Sequence, residues 1–172
     1  MLLSKTTVVL FCALSLAACG FQPLYGLGGS SNVITGLSSI QVAPANDRIG
    51  QLLTNELKRL LNPLNNPSRP SYRLLIKVTE SSRSLAVKKT ALATRANLNA
   101  RVTYRLKSIG SGQVITSGRN RIDVSYNIYS AEYATVAAEK DARNRALKEL
   151  AQDIRLQLGA FFKNNSQILS SK

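Results

Sequence analysis

Apolar residues recur at helical spacing in two parts of the chain. The first is a helix that Asn46 or Asp47 can cap and that ends before Pro63, because the residue preceding proline disfavours the helical conformation. The second is a long helix from its predicted cap, Ser130, to about Phe162. The residues that mark the buried side of this second helix are Leu147, Leu150, Ile154, Leu158 and Phe161.

Three segments alternate between apolar and polar residues, as strands with one buried and one solvated face do. They cover residues 72–78, 95–107 and 114–126, and a Gly/Ser turn over residues 108–112 separates the last two. A short β-prone segment, residues 37–43, precedes the first helix. The element order is then β-α-β-β-β-α. This order predicts an α+β fold, in which two helices pack on one face of a four-stranded, mainly antiparallel sheet.

The N-terminal end carries a different pattern. One positive charge, Lys5, precedes an apolar run that ends in Leu16-Ala17-Ala18-Cys19. The run is about ten residues long, which is too short for a membrane span of about 20 residues and suits a secretory signal. The spacing predicts a lipoprotein signal peptide over residues 1–18, followed by lipidation of Cys19. The alternative is an ordinary signal peptide with a stray cysteine beside it. Gly20 stands where an aspartate would favour inner-membrane retention, so the outer membrane is favoured.

These patterns divide the chain into four parts. Residues 19–36 are predicted to be a lipidated tether, residues 37–162 a single α+β domain, and residues 163–172 a polar tail. Two or three acyl chains hold a protein stably at a bilayer, so the tether predicts permanent attachment.

Composition excludes most catalytic chemistry. The chain has no histidine, and Cys12 leaves with the predicted signal peptide, so that Cys19 is the remaining cysteine. Zinc sites of the Cys/His type and Ser-His-Asp or Cys-His nucleophile systems are therefore excluded. The acidic residues are scattered, without a pair at suggestive spacing. We predict no catalytic residues, no metal and no cofactor, and a binding or structural role instead of an enzyme.

Positive charge is concentrated in the middle of the chain. The full sequence carries a net charge of +14, and residues 57–122 contain fourteen basic residues and one acidic residue, Glu80. Such asymmetry predicts an anionic partner, although a solvated face that protects the sheet edges would look similar. The candidate anion-binding residues, on the solvated strand face and in the connection after the second strand, are Arg73, Lys77, Arg83, Lys88, Lys89, Arg95, Arg101, Arg105, Lys107, Arg119 and Arg121.

Phosphates of lipids or of lipopolysaccharide, or an acidic protein wall, suit such a face in an envelope compartment. Nucleic acid is disfavoured, because the chain has an export signal and few aromatic residues lie between the basic ones.

The run from Cys19 to Gly26, CGFQPLYG, resembles the mature N-terminus of the LptE family of lipopolysaccharide-assembly lipoproteins, especially its alphaproteobacterial members. The resemblance implies a lipid-anchored protein on the periplasmic side of the outer membrane. It also implies that the protein plugs and helps assemble an LptD-type β-barrel and assists lipopolysaccharide insertion into the outer leaflet. Basic residues of the family are implicated in binding lipopolysaccharide, but no local motif carries individual positions over to this chain.

Two other functions remain open at this point. A lipidated protein of the same α/β architecture could also be an accessory subunit of an envelope phospholipid transport system. A periplasmic enzyme is the third possibility, against which the absence of histidine and of paired carboxylates argues.

Overall fold

A computed structural model describes residues 31–62, 69–85 and 95–165. In chain order the elements are α1 (Ser31–Ser38), β1 (Ile40–Val42), α2 (Arg48–Leu61), β2 (Tyr72–Leu85), β3 (Arg95–Ser108), β4 (Val114–Asn127) and α3 (Glu132–Asn164). No helix within these ranges combines the length and the apolar character that a membrane crossing requires.

The four strands form one sheet in the order β1-β2-β3-β4. Strand β1 pairs in parallel with the first three residues of β2, and β2, β3 and β4 pair antiparallel along their lengths. A register shift between Leu106 and Lys107 marks the end of β3 near the β3–β4 turn. The predicted α+β fold with a mainly antiparallel sheet is confirmed.

The core lies between the sheet and the helices, because every second residue of the strands is apolar and faces them. Along β3, all six residues at even-numbered positions from Ala96 to Leu106 are buried. Helix α2 contributes Leu53, Leu57 and Leu61 to this core. The largest fully buried side chain, Phe162 of α3, lies with its ring centroid 5.4 Å from that of Tyr72.

An additional helix precedes the sheet. The first strand was expected from residue 37, but β1 begins at Ile40 and residues 31–38 form α1. Val33 and Leu37 are four residues apart, which places both on one side of a helix, and both are buried. The last residues of the predicted tether therefore belong to a packed helix.

Of the two predicted helix caps, one is confirmed and the other is wrong. The Asp47 side chain accepts a hydrogen bond from the Gly50 N–H and caps α2, which ends at Leu61 as predicted. Ser130 does not cap α3, whose N-cap is Ala131 without a side-chain hydrogen bond. The Thr135 hydroxyl acts nearby instead, accepting from the Tyr129 N–H at 2.8 Å and donating to the Tyr129 carbonyl at 3.2 Å.

Candidate anion-binding surface

The strands carry most of the predicted basic residues on the face opposite the helices, here called the open face. Strand β2 places Arg73, Lys77 and Arg83 there, because its buried residues alternate with them. Strands β3 and β4 supply the other described members of the open face, Arg95, Arg101, Arg105, Lys107, Arg119 and Arg121. All of these are exposed except Lys107, which is half-buried. Lys88 and Lys89 lie outside the described residues.

Strand register brings two arginines into direct opposition. Arg101 of β3 is paired with Arg121 of β4, and Thr79 of β2 completes the same row across the sheet. Directly opposite residues have Cβ atoms about 4.5–5.5 Å apart, and like charges at this position are destabilising. The next row also carries two cations, Lys77 and Arg119, on either side of Thr103. The open face therefore concentrates positive charge at its centre.

One carboxylate, Asp123, partly compensates this charge. It accepts hydrogen bonds from the Asn99 amide at 2.6 Å and from the Arg121 guanidinium at 3.0 and 3.3 Å. The hydrogen bond from Asn99, followed by that from Arg121, lowers the pKa of Asp123 below its usual value. Arg101 contributes more weakly by charge alone and forms no ion pair with any residue in the described ranges. Arg101 therefore keeps its guanidinium available for a ligand.

Around Arg101 and Arg121 the open face forms a shallow depression of about 420 Å³. Its lining combines guanidinium, amide and hydroxyl groups, which donate hydrogen bonds, with the Asp123 carboxylate. The lining residues are Ser81, Arg83, Asn97, Asn99, Arg101, Arg121 and Asp123. Arginine binds phosphate through two parallel hydrogen bonds, so the three guanidinium groups suit a phosphorylated ligand.

Sequence reasoning identified the three arginines of this depression but assigned no role to Asn97, Asn99 or Asp123. The Asn97 side chain accepts a hydrogen bond from the Ser125 hydroxyl at 2.6 Å. The alternation that predicted the positions of the arginines also places these three residues on the open face. Their position was therefore predictable from the sequence. The hydrogen bond between Asn99 and Asp123 could not be predicted from the sequence, because it depends on the register between β3 and β4.

The single acidic residue of the basic segment lies on the other side of the sheet. Glu80 faces the helices, where the Arg143 guanidinium of α3 donates to its carboxylate at 2.8 and 3.0 Å. Arg143 also donates to Glu139 at 2.7 Å. The hydrogen bond to Glu80 is the largest cause of the raised pKa of Arg143, so the guanidinium stays charged in this ion pair. Among the described strand residues, Asp123 is the sole carboxylate on the open face.

The fold and the surface define a two-layer α+β domain with one helix-covered face and one cationic face. The sequence model of the LptE family, described as "Lipopolysaccharide-assembly", matches residues 37–158. The chain belongs to this family of lipopolysaccharide-assembly proteins. The match confirms the relationship that the CGFQPLYG run suggested, and it does so over a different part of the chain.

Solved structures of lipoproteins share this fold. A lipoprotein from Caulobacter crescentus is 29% identical, with a TM-score of 0.65, and the match covers 84% of this chain and 100% of that one. A minor lipoprotein from Acinetobacter baumannii is 20% identical, with a TM-score of 0.54, and 70% and 88% of the two chains are covered. Rare lipoprotein B from Shewanella oneidensis is 14% identical, with a TM-score of 0.53 and coverage of 74% and 96%. No curated protein matches the chain.

Proposed function

We propose that this protein is an outer-membrane lipoprotein that binds the phosphates of lipopolysaccharide through its open face. In this proposal lipidated Cys19 anchors it on the periplasmic side, and the domain plugs and helps assemble an LptD-type β-barrel. The protein then assists insertion of lipopolysaccharide into the outer leaflet and has no catalytic activity. The observation that carries the phosphate-binding proposal is the opposition of Arg101 and Arg121 beside a polar depression, in a domain of the LptE family.

The cost of placing like charges opposite each other supports a binding role. A surface that served only for solubility could mix both signs, and two directly opposed arginines reduce the stability of the sheet. A phosphate placed between them would remove this repulsion and accept hydrogen bonds from both guanidinium groups. Glu80 faces the helices, where it pairs with Arg143. Its carboxylate therefore does not compete with phosphate on the open face.

The plug role is supported by the character of the surface as a whole. The described strands present mainly polar and charged side chains on the open face, and each helix buries one apolar side against the rest of the domain. Such a surface is compatible with the polar lumen of a membrane barrel.

The phosphate-binding proposal is tested by charge reversal. We expect Arg101→Glu, Arg105→Glu and Arg121→Glu together to weaken lipopolysaccharide binding by about tenfold or more, because each loses a charge-assisted contact. Titration of the purified protein with lipopolysaccharide, at low and high salt, measures this change. Salt should weaken binding by the parent protein, since it screens exposed charges.

The matched control is Arg48→Glu with Lys140→Glu and Lys148→Glu, which changes the net charge equally on exposed helix positions. We expect this triple variant to bind nearly as well as the parent. If both triple variants lose affinity equally, net charge and not the open face determines binding, and the proposal is wrong.

The barrel partner is tested by affinity purification from membranes. We expect the tagged protein to bring down an outer-membrane β-barrel, and its depletion to lower the level of that barrel. Recovery of an inner-membrane ATPase complex without a barrel would instead identify an accessory subunit of a phospholipid transport system.

A further inference from the structure

Helix α1 determines where the N-terminal chain leaves the domain. Val33 and Leu37 of α1 are buried, and a Cβ built on Gly36 would lie 2.8–3.0 Å from ring atoms of Phe162 near the end of α3. Cys19 precedes Ser31 by twelve residues, which span at most about 40 Å when fully extended. An anchor at Cys19 would therefore hold this end of the domain within about 40 Å of the bilayer.

Hydrogen bonds bring the β3–β4 turn to the same end. The Ile109 N–H donates to the Ser71 carbonyl at 2.9 Å, and the Ser71 N–H donates to the Ser39 carbonyl at 3.0 Å. We call this region the anchor-side end and define it by residues 31–40, 69–74, 106–116 and 160–165. Three of its apolar side chains are exposed, Ile34 at 56%, Ile109 at 42% and Val114 at 49%.

The charge of the anchor-side end is of one sign. The four defining segments contain no carboxylate side chain, and their basic residues are Arg69, Arg73, Lys107 and Lys163. The opposite end also exposes apolar residues, including Tyr133, which is 87% exposed. There, however, Glu132 and Asp141 of α3 accompany the basic residues Arg95 and Lys140, so the charge of that end is mixed.

We propose that, before the domain enters a barrel, its anchor-side end rests on the anionic phospholipid surface of the leaflet that holds the anchor. Ile109 and Val114 enter the interface, while the basic residues contact headgroup phosphates. Each basic residue close to such a surface contributes about 1 kcal/mol, and apolar side chains add to this attraction. The inference rests on the proposed lipidation of Cys19, because the tether length argument needs an anchor at that position.

The proposal has a direct fluorescence test, because the chain contains no tryptophan. Ile109→Trp and Tyr133→Trp each place a single tryptophan at one end of the lipidated mature chain. The variants are bound to vesicles of phosphatidylethanolamine and phosphatidylglycerol that include brominated lipid, which quenches nearby tryptophan. We expect strong quenching at position 109 and little at position 133. Equal quenching at both positions, or stronger quenching at 133, would overturn the proposal.

Charge variants test the electrostatic part. In the Ile109→Trp background, Arg69→Glu with Lys163→Glu should lower the equilibrium constant for docking by at least about 25-fold, since each position lowers it about fivefold. Lys140→Glu with Lys148→Glu, on the exposed part of α3, is the matched control and should leave quenching unchanged. If the control variant reduces quenching as much, docking depends on net charge and not on this end.

Two further measurements separate this inference from the proposed function. Attaching the mature chain through the Cys19 thiol to a maleimide lipid supplies the anchor even if cells do not lipidate the protein. The Arg101, Arg105 and Arg121 reversals should leave quenching at position 109 unchanged while they weaken lipopolysaccharide binding. Arg69→Glu with Lys163→Glu should do the opposite. If the open-face reversals abolish quenching at position 109, the open face and not the anchor-side end contacts the lipid.

Discussion

Asp123 controls how much positive charge the open face offers. Its carboxylate engages Arg121 and leaves Arg101, the directly opposed arginine, without an ion pair among the described residues. Because hydrogen bonds from Asn99 and Arg121 lower its pKa, Asp123 is ionised at neutral pH. A lowered pKa stabilises the folded protein above the usual pKa of aspartate, and this contribution disappears as the pH falls through the lowered value. Protonation of Asp123 would also release Arg121 to an anion.

Asp123→Asn should therefore increase affinity for lipopolysaccharide. The substitution removes an anion that competes with phosphate for Arg121, and exposed ion pairs are weak, so the increase should be up to about fivefold. Titration calorimetry of the purified protein measures it. Asp141→Asn, which removes an exposed ion pair with Arg145 on α3, is the control and should have no effect. Unchanged or weaker binding by Asp123→Asn would show that phosphate does not reach Arg121.

The sequence predicted much of the open face because a strand has a simple period. Once β2, β3 and β4 were recognised, alternation placed Arg73, Arg101 and Arg121 on the solvated side. It could not predict that Arg101 opposes Arg121, since opposition depends on the register between strands. Nor could it predict that Glu80 meets Arg143, which lies in a helix far along the chain.

At the scale of elements, α1 shows the limit of a sequence pattern. Its eight residues include a glycine and three β-branched residues, Val33, Ile34 and Thr35, which are poor helix formers. Packing against α3 stabilises the helix instead, as tertiary contacts commonly override propensity. Gly36 fits because its missing side chain leaves room for the Phe162 ring. A contact between such distant positions has no local signature, so the sequence pattern places residues 31–36 in the tether and begins a strand at residue 37.

Gly36→Ala should destabilise the domain although alanine is the better helix former. The gain in helix propensity is about 1 kcal/mol, whereas overpacking against the Phe162 ring costs about 1–3 kcal/mol. We expect a net loss of about 1 kcal/mol in the free energy of unfolding, measured by urea denaturation. Gly110→Ala, where a Cβ would meet no atom within 4 Å, is the control and should change stability little. A more stable Gly36→Ala protein would contradict the packing of α1 on Phe162.

At the scale of the whole molecule, the two layers are joined by an apolar core and by a few polar contacts. The Tyr104 hydroxyl donates to Gln157 of α3 at 2.7 Å, and the Glu80–Arg143 ion pair joins β2 to the same helix. Both side chains of this ion pair are about one-fifth to one-quarter exposed. Apart from α1, the element order was predictable from the two periods of apolar residues, because each segment's type is a local property. The position of α3 on the sheet depends on these long-range contacts and could not be predicted from the sequence.

Arg143→Met should destabilise the protein by about 1 kcal/mol or more, because it leaves Glu80 half-buried without its partner. The double variant Glu80→Gln with Arg143→Met removes the unpaired charge and should recover part of the loss. Urea denaturation of the parent, the two single variants and the double variant gives the coupling energy. Additive effects of the two substitutions would show that the ion pair does not join the layers.

The contact between Gly36 and Phe162 also determines when α1 can pack during synthesis of the chain. For a chain that emerges N-terminus first, α1 is the first described segment to appear, and its binding site on α3 is the last. Until α3 has emerged, α1 lacks the element with which it makes its main contacts, however complete the strands are. Among the described residues, those of α1 are therefore made first and packed last, and the packing of α1 on α3 marks completion of the domain.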